Sequence, residues 1–421
     1  MSITSPESPP LSATQTAPAT PWKIQRFRAF ATMRFSLGAA QEIMTVALAW
    51  EIFQRTHSTL ALGLVGLSSF LPSILLSLVT GIVADRLDRR HIMLVTSGTI
   101  ATCSLALVLL SFSPFIWPIY VVVAVQGIAR AFAQPASKAM VPNLAPPGML
   151  TSVIAAATVV QGAATIIAPA IGALLLPLGN GIPFMVSCLC GFLAFAAAMM
   201  LGSQRARGIS TARPNLPMML EGFSFIWSRP KIMGAMGLDF VAVLFGSATA
   251  LLPFYVTEVF HAGAWAMGTL RAAIAAGALL MALFLTRFPI RRHVGPRLLF
   301  AVGLYGLLTV LFGLSTDVRV GLVLMLLLGA TDTISMVTRN SLVQINTPDT
   351  MQGRVAAVHS VTTSASNDLG EFESGMVAHV IGGVPTVIVG GMLAMLAALS
   401  WIWLFPAVRR TDRLDDSLPE G

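Results

Sequence analysis

The chain alternates between long apolar runs and short connectors that are mostly polar and basic. Crossing the hydrocarbon of a bilayer takes about 20 mainly apolar residues in a helix, and twelve runs reach that length. They cover residues 29–53, 62–84, 92–112, 116–137, 151–176, 182–201, 233–256, 264–286, 297–315, 319–338, 354–381 and 384–405. The first, fourth, fifth and eleventh carry polar interruptions. The pattern predicts an all-α membrane protein with twelve transmembrane helices.

The connectors differ in charge from one side to the other. One side receives the clusters Lys23 to Arg28, Arg86 to Arg90, Lys138, Arg205 to Lys231, Arg287 to Arg297, Arg354, and Arg409 to Arg413. The opposite side receives only Arg55 and Arg319, while Arg34, Arg130, Arg271 and Arg339 fall within or at the ends of spans. Loops rich in Lys and Arg stay on the cytoplasmic side. Both termini are therefore expected in the cytoplasm, which an even number of spans requires.

Composition removes most other classes. Of the 421 residues 55% are apolar and only 10% are charged, and the mean hydropathy is +0.80. A soluble protein carries about 25% charged residues, so soluble enzymes, disordered scaffolds and nucleic-acid binders are excluded. The net charge of +8 follows membrane topology and does not form a polyanion-binding stripe. Cys103, Cys188 and Cys190 sit in apolar runs with no metal-ligand spacing around them, so neither a disulfide framework nor a metal is expected.

The first 21 residues, rich in Ser, Thr and Pro, read as a flexible cytoplasmic tail. The widest connector, 202–232, reads as a cytoplasmic linker between two six-helix bundles at 22–201 and 233–405. Residues 406–421 form a second tail. Repetition supports the two halves: Arg89-Arg90-His91 recurs as Arg291-Arg292-His293, and Pro146 to Met149 recurs as Pro348 to Met351, both at an offset of 202. Paired bundles around a midplane site are a transporter architecture, and a single chain holding both needs no second copy.

The connector after the second run reads Gly81-Ile-Val-Ala-Asp85-Arg86-Leu-Asp88-Arg89-Arg90. It resembles the cytoplasmic G-x-x-x-D-R-x-G-R-[KR] signature of the major facilitator superfamily, departing at Asp88, where that family usually has Gly. The resemblance implies that Gly81, Asp85, Arg86, Arg89 and Arg90 form a cytoplasmic latch between the halves. The fifth run holds Gly162, Pro169 and Gly172 in a stretch similar to the Gly-Pro motif of the family's antiporters, with Ala168 and Ala173 in place of glycines. A packing kink explains that Pro equally well. Further stretches resemble the family's bacterial exporter branch, which includes the enterobactin exporter and macrolide-efflux-like proteins. They include Leu238-Asp239-Phe, Gly353-Arg354-Val355 and Ser366-Asn367-Asp368-Leu-Gly370-Glu371-Phe-Glu373.

Six acids fall at membrane depth: Glu42, Asp239, Asp332, Asp368, Glu371 and Glu373. Left bare, they would together cost on the order of 15–20 kcal/mol. They must be protonated, paired or lining a wet cavity. Asp368 and Glu371 lie three apart and share a helix face, while Glu373 points elsewhere. The basic partners available are Arg34, Arg130, Arg271 and Arg339, each of which also reads as a structural ion-pair member. A phosphate-binding loop needs a Lys after Gly, and Lys23, Lys138 and Lys231 follow Trp22, Ser137 and Pro230.

These readings predict a non-enzymatic secondary transporter of the cytoplasmic (inner) membrane with no cofactor. By the resemblance it exports amphiphilic small molecules, drug- or siderophore-like, in exchange for protons. Import or uncoupled facilitation by the same fold, and a non-transporting receptor or channel, are the alternatives.

Overall fold

Ser58, Asp88 and Asp317 mark where three of the helices begin. Each side-chain oxygen accepts from a backbone N–H of the first turn, at 3.4, 3.0 and 2.7 Å, filling a donor that has no partner inside the helix. The computed structural model describes residues 20–146, 149–179, 181–203, 216–290 and 292–412. Gly81, Asp85 and Arg86 lie on a helix there, but their side chains fall outside the described residues.

The first series runs α1 (Gln25–Thr56), α2 (Thr59–Arg86), α3 (Arg89–Leu110), α4 (Trp117–Leu144), α5 (Leu150–Leu175) and α6 (Gly181–Met200). A connecting helix, α7 (Leu216–Ser228), follows, and then α8 (Pro230–Phe245) and the single turn α9 (Leu252–Phe254). The second series continues with α10 (Ala264–Arg287), α11 (Val294–Leu314), α12 (Val318–Ile345), α13 (Asp349–Ile381), α14 (Gly383–Leu404) and the short α15 (Pro406–Arg409). Among the described residues, ten helical segments are long and apolar enough to cross a membrane. The long helices α1 and α13, of 32 and 33 residues, carry the polar interruptions and fall outside those ten.

One expected run is not a continuous helix. The stretch read as 233–256 is α-helical only to Phe245, breaks at Gly246-Ser247, and continues as short 3-10, α and π turns to Val259. A Gly-Ser pair with Pro253 beyond it is a sufficient cause of such a break. The carbonyl of Gly246 accepts from the Tyr305 hydroxyl at 3.0 Å, so the opened turn keeps a partner.

Within the first series α1 packs on α5 and α6, α2 on α4, and α3 on α4 and α6; within the second α10 packs on α12, and α11 on α12 and α14. Two seams join the series, α2 against α13 and α5 against α10. The α2–α13 seam is glycine-built. A Cβ on Gly375 would stand 2.6 Å from the backbone of Gly63 and from the Thr59 carbonyl oxygen.

The apolar packing differs between the two ends of the molecule. At the end away from the chain termini one large cluster draws on both series, with Ile52, Phe53, Leu62 and Phe184 beside Tyr255, Leu270, Phe312 and Ala378. There Gln54 donates to the Thr257 hydroxyl at 2.9 Å, and His57 Nδ1 meets Glu258 at 3.2 Å. At the terminal end the clusters are private: one around Phe30, Met93, Met140 and Val153, another around Leu238, Leu298 and Val408. The series are thus sealed at one end and parted at the other.

The seam sets a stability prediction. Gly375→Val forces two backbones apart and should cost about 1–3 kcal/mol, read as a lower unfolding midpoint of the purified protein in detergent. Gly162→Ala meets nothing within 4 Å and should leave that midpoint unchanged or slightly higher.

Candidate transport site

The parted series leave polar side chains facing one another where the apolar runs gave them no water. Arg130, in the middle of α4, donates through Nη2 to both carboxylate oxygens of Asp368 on α13, at 3.0 and 3.3 Å. The pair bridges the two series. Glu371, one turn further along α13, lies within electrostatic reach of Asp368, Arg271 of α10, Arg130 and Glu42 of α1. Glu42 in turn faces Arg130 and Arg271. Arg271 reaches the Thr249 carbonyl only at 3.5 Å, and its Nε has no hydrogen-bond partner among the described residues. Among the described residues three carboxylates and two guanidiniums share the site, so one carboxylate there has no cation of its own.

Gly66 of α2 makes room for this arrangement. A Cβ there would stand 3.0 Å from the Cβ of Glu371 and 3.4 Å from its Oε2. Asp368 and Glu371 face this cluster, while Glu373 has, among the described residues, only Ser374 within bonding range, at 3.5 Å.

The remaining acids part company. Asp239 of α8 is buried and ion-paired to Arg339 of α12, which is itself buried. Asp332 stands beside Tyr305 with no basic partner among the described residues. Arg34 donates from Nε to Gln161 at 3.1 Å and lies over the Phe30 ring, away from the acids. Glu51, near the end of α1, is buried and pairs with Arg55 at 3.0 Å. Lys138, placed in a connector, lies within α4, because that helix runs on to Leu144 through Pro135 and Pro142.

Toward the terminal end a cavity of about 510 Å³ opens between α4, α12 and α13. Its wall includes Lys138, Arg339, Asn340, Gln344, His359 and Ser360. The Lys138 ammonium donates to the Ser360 hydroxyl at 2.8 Å, a second polar link between the series.

The motif residues are placed as follows. Arg89 donates to the Ala139 carbonyl at 2.6 Å, and Arg90 to those of Ala198 and Met199 at 3.3 and 2.8 Å. Both tie the start of α3 to the ends of α4 and α6, inside the first series and not across it. Asp88 sits at φ −62°, so the Gly of the related signature is not needed for the turn. Its carboxylate caps α3 and accepts from Ser203 at 2.6 Å. Pro169 lies inside α5, and Gly172 beyond it lets α5 approach α1: a Cβ there would stand 2.9 Å from the Ile43 Cα. Gly162 has open space around it.

Comparison with known proteins decides the family. Residues 16–419 match the model of a family described as transmembrane secretion effectors. The chain belongs to this family, a branch of the major facilitator superfamily. It is 26% identical over 400 residues to the enterobactin exporter EntS of Citrobacter koseri, covering 94% of this chain and 95% of that one. It is likewise 26% identical over 397 residues to the multidrug efflux pump Tap of Mycobacterium tuberculosis, covering 91% and 93%. Macrolide efflux protein A of Streptococcus pyogenes is 29% identical over 156 residues, 37% of this chain and 38% of that protein. Among solved structures, a bacterial homologue of the human lysosomal transporter Spinster superposes with a TM-score of 0.71 at 15% identity, covering 96% of this chain and all of that one. That likeness is one of fold.

The Asp239–Arg339 pair is open to a direct check. Asp239→Ala leaves a buried guanidinium unpaired and should cost about 3–5 kcal/mol. The double variant Asp239→Leu with Arg339→Leu should recover most of it, and thermal unfolding of the three proteins side by side measures both.

Proposed function

We propose that this major facilitator transporter exports amphiphilic small molecules from the cytoplasm in exchange for protons, by alternating access around the Glu42–Arg130–Arg271–Asp368–Glu371 cluster. The observation that carries this reading is the excess carboxylate. A lipid-depth site with three acids and two arginines is one negative charge from neutrality, and hydrocarbon penalises every uncompensated charge. One bound proton makes the site neutral. The Arg130–Asp368 bridge joins the two series, so protonation beside it changes how strongly they hold together.

The cycle follows. A proton entering from the outer face neutralises the excess carboxylate, the cavity turns toward the cytoplasm, and the proton leaves as substrate binds. Substrate and proton favour opposite states, which links export to proton entry. The substrate class rests on the names of full-length relatives, which act on enterobactin and on multiple drugs.

The same proposal fixes the frame. With α1 and α13 counted among the spans the chain crosses the inner membrane twelve times. Bundles at 22–201 and 233–405 are joined by a cytoplasmic linker at 202–232, and both termini are cytoplasmic, where the basic connectors collect. One chain suffices for the cycle. The cytoplasmic latch, Gly81 through Arg90, acts when the terminal ends approach.

Inside-out vesicles with an imposed pH gradient test this. Uptake of a hydrophobic dye should require the gradient and collapse with a protonophore. Glu371→Gln should lower gradient-driven uptake at least about tenfold, the effect of some 1.4 kcal/mol on the coupling step, while dye exchange without a gradient persists. Equal dye movement with and without the gradient would favour uncoupled facilitation and sink the coupling.

A further inference from the structure

The cavity between α4, α12 and α13 carries charge of one sign. Its wall holds two cations, Lys138 and Arg339, together with His359 and other polar groups, and none of the residues that line it is Asp or Glu. Arg339 is only partly satisfied. Its side chain is 6% exposed, its Nη1 engages Asp239, and its Nε has no hydrogen-bond partner among the described residues. The Nε2 of His359 is also without one. The group that accepts from Lys138 is a neutral hydroxyl and not a carboxylate. This lysine is one of three in the chain; Lys23 and Lys231 lie at helix beginnings near the termini end. Among the described side chains the nearest carboxylate along α13 is Asp368, one helical turn or about 6 Å beyond Ser364, and Arg130 already occupies it. A low-dielectric cleft lined by one sign of charge concentrates the opposite sign.

We propose that this cavity is an anion-binding vestibule, which takes the carboxylate, sulfonate or phosphate group of an amphiphile. The charged end lies between Lys138 and Arg339 Nε, and the apolar body lies along Met336 and Val343. Joined to the export reading above, on which this step alone rests, the vestibule makes the transported molecule an anionic amphiphile. The binding claim stands without that reading.

Equilibrium binding to the full chain in phosphatidylcholine nanodiscs tests it, using two probes of equal apolar size, 4-butylbenzoate and 4-butylbenzylammonium. The benzoate should bind at least about tenfold more tightly. Lys138→Gln should remove about that factor, Lys138→Glu should reverse the preference, and Ser360→Ala should keep it. Equal affinity for the two probes, tighter ammonium binding, or an unchanged benzoate affinity in Lys138→Gln would overturn the proposal. If Lys138→Glu does not fold, the wild-type pair of probes and Lys138→Gln decide. A second arm replaces part of the lipid with phosphatidylglycerol. Weakened benzoate binding would support the site with an anionic lipid headgroup as its occupant, and unchanged binding would support it with a soluble amphiphile. Benzoate binding without gradient-driven flux would sink the export reading alone, and flux with ammonium preferred would sink only the anion site.

Discussion

Hydrocarbon offers a charged side chain no water, and that constraint organises the interior of this protein. The arginines of α4, α10 and α12 and the acids of α1, α8 and α13 are kept because helices distant in sequence hold them against one another. The two pairs differ in kind. Asp239 and Arg339 are both buried within the second series, and there they fix α8 against α12. Arg130 and Asp368 span the series and sit in an electrostatic field of two further acids and one further arginine. A pair whose neighbours do not sum to zero is sensitive to any charge that enters or leaves.

The helices were legible in the sequence to within a few residues for most spans, because lipid requires backbone hydrogen bonds to be satisfied inside each segment. A run of apolar residues therefore reports a helix directly. The break at Gly246-Ser247 escaped this reading, since composition there stays apolar and only the Tyr305 hydroxyl shows where the freed carbonyl goes. The run read as 116–137 ended too early: α4 continues through Pro135 and Pro142 to Leu144 and so carries Lys138.

The candidate site was legible as a set of residues but not as an arrangement. Hydropathy identifies an acid in a greasy run, and helix spacing places Asp368 and Glu371 on one face, yet no local pattern tells Arg130 from Arg339 as the partner of either acid. That choice depends on which helices cross. Asp88 is the opposite case. Its departure from the family signature looked like the loss of a permissive turn, and the backbone at φ −62° with a carboxylate over the start of α3 shows a substitute that works locally.

The unequal packing of the two ends has a consequence for the empty molecule. Phe53, Leu62, Tyr255, Phe312 and their neighbours form a joint property of both series, whereas the apolar clusters described at the terminal end belong to each separately. Turning the molecule over means pulling that shared grease apart and wetting it, at about 25 cal/mol for every Å² uncovered. Among the described residues no apolar cluster at the other end joins the series in the same way. The shared apolar cluster therefore weighs on the side of the arrangement described here, and any reversal has to offset its exposure.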